Sequence, residues 1–219
     1  TMRSSIALAL ALLVAAPAAA APEEAPLSRF LAAYDRARSW RGVIRVVTRH
    51  EGTTSDMRMR LFLQKPSQTA FTILASSAKP GTVGTRIVWD GGAKAHVSTR
   101  FFGFPIRLKT AFDDARLRDM RGDTLWDLSI VKAVAIARDP ATTIRDLGMG
   151  RHAGRAVRKV ELKSPQLLPG IDKEVFWLDA QTDLPVVREM HAGREVAYRL
   201  TVESAELDPA LPPETFRME

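Results

Sequence analysis

The sequence predicts an α+β protein: a large, strongly curved antiparallel sheet with helices lying across its mouth. Three observations lead there. Short runs of alternating apolar and polar residues recur along most of the chain, separated by turn-forming residues. One amphipathic helix precedes them, and one helical insert interrupts them, which is the order of an antiparallel meander with covering helices rather than of alternating βαβ units. Finally, 219 residues with 46% apolar content and no internal repeat or low-complexity linker suffice for one sizeable core.

The elements follow in order. Arg3, the apolar stretch Ile6 to Ala16, Pro17 and the small residues Ala18 to Ala21 have the layout of a secretory signal peptide, with cleavage expected after Ala20. The apolar stretch is too short to span a bilayer, which takes about 20 apolar residues. The chain is therefore expected to divide into a leader, residues 1–20, and one mature domain, residues 21–219. Leu27, Phe30, Leu31, Tyr34 and Ala37 share a helical face, so residues 26–39 read as an amphipathic helix. The period then falls to two. A strand is expected near Val43 to Thr48. Met57, Met59, Leu61 and Leu63 alternate with Arg58, Arg60 and Phe62, and Lys65-Pro66-Ser67 turns the chain into Phe71 to Leu74. Arg86 to Trp89 runs into the turn Asp90-Gly91-Gly92 and back through His96 to Ser98.

Between residues 105 and 138 the spacing of Leu108, Ala111, Phe112 and Ala115, then of Leu125, Leu128, Val131 and Ala135, reads as a helical insert closed by Pro140. Strands resume at Thr143 to Leu147, Ala156 to Leu162, Val175 to Leu178, Pro185 to Met190 and Glu195 to Ser204. The expected total is eight or nine strands, with the segment near Val43 as a further one.

Composition excludes several functions. The chain has no cysteine, which removes disulfides, thiolate metal sites, a thiol nucleophile and a thioether lipid anchor. The formal charge of +7 becomes +6 once Arg3 is removed with the leader, and the basic residues are dispersed among apolar ones rather than gathered in a stripe. Export also separates such a chain from nucleic acid. Contact with an anionic membrane surface fits the charge. His50, His96, His152 and His191 are far apart and stand in no metal or nucleophile motif, so each reads as a surface histidine. Asp113 and Asp114 are adjacent and on a helix would not share a face. Gly81 to Gly84 lacks the Gly-Lys-Ser/Thr of a phosphate loop and reads as a hairpin connection.

A sheet that curls without closing leaves an apolar concavity, filled either by packed side chains or by a greasy ligand. The candidate wall residues are Met57, Met59, Leu61, Leu63, Phe71, Ile73, Trp89, Trp126, Phe176, Tyr198 and Leu200. No cofactor and no metal are called for. Affinity for an acyl chain needs no polar constellation, since each buried methylene contributes about 0.8 kcal/mol.

Several stretches together resemble the LolA-type lipoprotein carriers. They are Leu61-Phe62-Leu63-Gln64-Lys65-Pro66, Ile87-Val88-Trp89-Asp90-Gly91-Gly92, Phe176 to Pro185 followed by Val187 and Glu189, and the closing run from Val202 to Phe216. With the leading helix, the resemblance extends over nearly all of the mature chain. It implies an unclosed β-barrel with a helical lid, holding a lipid or the acyl chains of a lipoprotein in the periplasm, as a monomer, between an inner-membrane exporter and an outer-membrane acceptor. The classical carriers place an Arg directly before the proline, where it holds the lid closed. Here that residue is Lys65, which cannot make the forked hydrogen bonds of a guanidinium, and the resemblance makes it the candidate contact to lid or headgroup. Two other classes compete: a sensor on the same scaffold that binds a protein or lipid signal, and a hydrolase using scattered carboxylates such as Asp90 and Asp179.

Overall fold

The computed structural model describes residues 26–101, 103–111 and 114–218. The proposed leader, Phe112 and Asp113 lie outside these. Eleven strands form one antiparallel sheet: β1 (Ser39–His50), β2 (Thr53–Gln64), β3 (Gln68–Ser76), β4 (Arg86–Trp89), β5 (Lys94–Phe101), β6 (Phe104–Ala111), β7 (Thr143–His152), β8 (Arg155–Lys163), β9 (Lys173–Asp179), β10 (Pro185–Ala192) and β11 (Glu195–Leu207). Their order is β6-β5-β4-β3-β2-β1-β11-β10-β9-β8-β7. Each half is a meander, and among the described residues the two halves hydrogen-bond as strands only where β1 pairs with β11. Among the described residues the end strands β6 and β7 do not pair with each other, so the sheet is an unclosed barrel.

Register carries one face from strand to strand, because directly opposed residues point the same way. Ile44 lies opposite both Met59 and Val202, and Leu61 opposite Phe71, which is opposite Ile87, then Val97, then Leu108. The inner face is thus built from every second residue of successive strands. The outer face of β1 and β2 carries Arg41, Arg45 and Arg58, paired with Glu206, Asp56 and Glu203.

Two helices cover the mouth. Helix α1 (Pro26–Arg36) starts with a proline, which suits a first turn where no N–H is needed, and buries Leu27 and Phe30 completely. Helix α2 (Ile130–Arg138) begins at Ser129, whose hydroxyl accepts from the Lys132 N–H at 3.2 Å as an N-cap. Leu27 and Phe30 of α1 meet Ala133, Val134 and Ala137 of α2 over Val160, Leu162, Phe176 and Leu178 of the sheet.

Two expectations are corrected. Residues 104–111 form strand β6, not the start of a helix. Ile106, Leu108 and Thr110 alternate with Arg107 and Lys109, but β6 is an edge strand on which only Thr110 is buried, so the two-residue period is faint. The residue after the gap, Asp114, does not lie on a helix face; it caps a single 3₁₀ turn (Ala115–Leu117), accepting from the Arg116 N–H at 2.9 Å. Bonds from Arg116 and Thr110 hold its carboxyl well below the usual range.

Helix α2 also buries a different face from the one expected. Leu125 and Leu128 precede it, so the stripe running from them to Val131 and Ala135 crosses a helix start, and the buried residues are Ala133, Val134, Ile136 and Ala137. At the N-terminus β1 extends well beyond Val43 to Thr48, while α1 stops at Arg36.

Candidate functional site

Between the sheet and its cover lies a cavity of about 490 Å³. Its floor is the inner face just described: Ile44 and Val46 on β1, Met59, Leu61 and Leu63 on β2, Thr69 and Phe71 on β3, Trp89 on β4, and Leu200 and Val202 on β11. The roof comes from the segment before α2, with Leu125, Trp126, Leu128 and Ile130, and the α1 side adds Tyr34 and Ala37. Trp126 meets Trp89 edge-on at 4.6 Å between ring centroids, a favoured aromatic geometry, while the Trp89 indole N–H donates to the Gly92 carbonyl at 2.6 Å. The indole is thereby fixed from both sides. Gly42 keeps the β1 part of the floor low, because a Cβ there would meet the Ser204 carbonyl and the Trp40 ring.

Of the residues proposed from sequence, Met59, Leu61, Leu63, Phe71, Trp89, Trp126, Leu200 and Lys65 are brought together on the wall. Met57, Ile73, Phe176 and Tyr198 are placed elsewhere. Phe176 is fully buried under α1, stacked on Phe30 at 5.8 Å. Ile73 and Tyr198 point into the barrel, as their strands' alternation requires, but at an end plugged by Leu167, Leu168 and Ile171 from the β8–β9 connection; Met57 packs against the same plug.

Lys65 follows β2 and reaches the C-terminus of α1. Its ammonium donates to the carbonyls of Tyr34 and Asp35, which no helical N–H serves, and lies 4.1 Å from the Tyr34 ring centroid. Partial burial lowers its pKa from the ordinary lysine value. The contact ties a sheet turn to a covering helix at the cavity wall.

A second tie was not read from the sequence. Arg188 on β10 is an inward residue, opposite Leu200, and is buried with Glu174. Its Nε and Nη2 donate to the two Glu174 carboxylate oxygens at 3.1 and 2.7 Å, a forked pair. Nη1 donates to the carbonyls of Leu128 and Ser129 at 2.7 and 3.1 Å, where the roof enters α2. One guanidinium thus joins sheet, roof and helix start. The signal was present in the alternation of Val186, Arg188 and Met190, which puts a charge on the apolar face.

A third tie closes the plugged end. Tyr198 Oη lies 2.7 Å from Asp119 Oδ2 and hydrogen-bonds Asp123 as well. A phenol has one hydrogen, so both contacts are hydrogen bonds only when one carboxyl keeps its proton. Burial, with Asp119 and Asp127 nearby, pushes Asp123 up, opposed by the Tyr198 bond and Arg121. Since the native pKa is raised above the ordinary 3.8, the folded state binds more protons, and this contribution is complete below that value and lost as pH rises through the native one. Asp123→Asn is expected to abolish the corresponding decline in stability, measured by urea unfolding from about pH 4 upward.

The remaining candidates are structural. Asp90 accepts from the Gly92 N–H at 3.0 Å, and Asp179 from the N–H groups of Gln181 and Thr182 at 2.9 and 3.1 Å; both shape hairpin turns, and Asp179, 3.9 Å from Arg155, also borders the cavity. His191 is half-buried rather than at the surface, with Nε2 3.4 Å from Glu189. Among the described residues no cluster of three His, Asp or Glu could hold a metal, and no helix is long and apolar enough to cross a membrane.

No family profile matches the chain, and no curated protein matches it in sequence. Solved structures do match. An uncharacterized conserved protein from Thermus thermophilus superposes with a TM-score of 0.55 at 11% identity, covering 89% of this chain and 91% of the other. MucB superposes with a TM-score of 0.53 at 16% identity; the match covers 89% of this chain and 62% of MucB. A lipoprotein-sorting protein domain from Vibrio parahaemolyticus gives a TM-score of 0.47 at 13% identity, over 87% of this chain and 95% of that one. At these identities the first two establish a shared fold, the unclosed barrel under helices that the LolA-like resemblance implied.

Proposed function

We propose that the protein is a periplasmic carrier that holds a lipid, or an acyl chain of a lipoprotein, in the cavity between sheet and covering helices and moves it towards the outer membrane. The observation that supports this reading is the cavity itself: about 490 Å³, floored by aliphatic side chains and flanked by Phe71, Trp89 and Trp126. A methylene needs about the space of a water molecule, about 30 Å³, so the volume admits a chain of about 16 methylenes. That is room for one acyl chain. Of the charged residues that border the cavity, Lys65, Arg188 and Glu203 are held by partners, and Arg155 and Asp179 lie 3.9 Å from each other, which supports an apolar chain within and the headgroup outside. Lys65 and Arg188 hold the cover down, so cargo must enter and leave by loosening one of those ties. The leader at residues 1–20 would deliver the chain to the compartment where such cargo travels.

Mass spectrometry of organic extracts from protein purified without detergent is expected to find one acyl chain per molecule. Lys65→Ala should release a bound single-chain fluorescent fatty acid several-fold faster in stopped-flow displacement, with a stability loss no larger than about 1–2 kcal/mol for the lost hydrogen bonds. A protein free of lipid that also fails to take up the probe would sink the carrier reading and favour a sensor that binds a protein, as MucB, which has been crystallised with MucA, does.

A further inference from the structure

The hairpin β5–β6 carries a charge pattern that the cavity does not use. Residues 94–111 include Lys94, Arg100, Arg107 and Lys109 and contain no Asp or Glu. The register sets Lys94 opposite Ala111, His96 opposite Lys109, Ser98 opposite Arg107 and Arg100 opposite Pro105. Alternation therefore puts all four cations, with His96, on one face of the hairpin. They differ from three of the outward arginines of β1 and β2, although Arg49 and Arg60 there also lack a carboxylate partner among the described residues. Arg41, Arg45 and Arg58 each have a carboxylate partner, whereas among the described residues no ion pair includes Lys94, Arg100, Arg107 or Lys109.

The opposite face is apolar and only partly covered. Ala95 and Val97 are buried, but Leu108 is 38% exposed and Phe104, beside the tip, 73% exposed. Because β6 ends the sheet, no strand shields this side. A single lysine would be enough to protect an edge from pairing, and the other edge, β7, mixes Arg145 and Arg151 with Asp146. A one-sign face joined to an exposed phenylalanine goes beyond edge protection.

We propose that the β5–β6 hairpin is a docking element for an anionic phospholipid surface. The four cations meet the phosphate layer, while Phe104, beside the tip, reaches past the end of the hairpin into the interfacial zone where aromatic side chains are favoured. The partner follows from charge complementarity: a cationic face without a carboxylate, ending at an exposed phenylalanine beside the tip, matches a surface that is negative above and apolar just below. Docking of this kind is peripheral, reversible and weakened by salt. It holds whether or not the cavity carries an acyl chain.

The test is co-sedimentation of the full chain with vesicles of equal parts phosphatidylglycerol and phosphatidylcholine, against phosphatidylcholine alone. Binding is expected only to the anionic vesicles. Each cation near such a surface is worth about a five-fold in partitioning, so Arg107→Ala with Lys109→Ala should lower it about 25-fold. Phe104→Ser should lower it several-fold. Arg41→Ala with Arg45→Ala removes the same charge from paired positions and should change it by less than about two-fold. Absence of binding by the unaltered chain, or equal losses from the two double variants, overturns the proposal; the first result would point instead to an acidic protein partner, the second to attraction by net charge alone. Circular dichroism and probe uptake without vesicles, expected unchanged in the Arg107/Lys109 variant, separate this outcome from misfolding and from failure of the carrier reading.

Discussion

Arg188→Ala is expected to cost about 3–5 kcal/mol of folding stability, because it leaves Glu174 buried without its counter-charge and the Leu128 carbonyl without its donor, while that of Ser129 keeps only the Ala133 N–H. For a chain of this size each kcal/mol lowers Tm by about 2–4 °C, so thermal unfolding reads the effect directly. The side chains of Arg188 and Glu174 are 5% and 1% exposed, which is why water cannot replace the lost partner. Arg188→Lys should recover only part of the loss, since an ammonium cannot serve both carboxylate oxygens and the carbonyls of Leu128 and Ser129 at once. Arg188→Met combined with Glu174→Gln should be much less damaging than Arg188→Ala, as the desolvated charge is then gone from both sides. If Arg188→Ala cost less than about 1 kcal/mol, the pair would have to be solvated in solution, and the roof would be held by apolar packing alone.

The second large effect separates wall from core. Phe176→Ala is expected to destabilise the protein by about 3–5 kcal/mol, since it opens a void beneath α1 and α2 that the stacked Phe30 cannot fill. At a temperature where the variant stays folded, its affinity for a single-chain probe should hardly change. Phe71→Ala should do the reverse in emphasis: a smaller stability loss, because its ring already borders empty space, and a clear change in probe affinity. Equilibrium urea unfolding and fluorescence titration on the same two variants decide the matter. Equal affinity losses would mean that α1 and the sheet part to admit cargo, placing Phe176 on the wall after all.

These two residues also show what local sequence encodes. Alternation in β2, β3 and β11 told which side chains face inward, and register makes the inner face of each strand continue into the next. It could not tell how far along the barrel axis each residue sits. Phe176, Ile73 and Tyr198 have the inward orientation expected of wall residues, but helices and the β8–β9 connection, remote in sequence, occupy the space above them. Edge position had the same effect on β6, where half of the usual burial is missing and the period of two fades. The family resemblance singled out Lys65 because it sits in a short local motif; Arg188 belongs to no such motif, and its partners Glu174, Leu128 and Ser129 come from separate stretches.

The junction of the two halves sets an order on how the molecule can form. β1 follows the first helix and β11 is the last strand, with Trp40 opposite Leu207 at one end of their ladder. Hairpins within each half can assemble from neighbours, but this one ladder must wait for nearly the entire polypeptide, and long-range pairing is slow to close. Until then β1 and β10 each present an unpaired edge next to an uncovered apolar face, the arrangement most prone to pairing with another chain. A chain shortened before β11 would keep both edges indefinitely. The barrel's integrity therefore depends on its last strand, which also borders the cavity with residues such as Leu200, Val202 and Leu207.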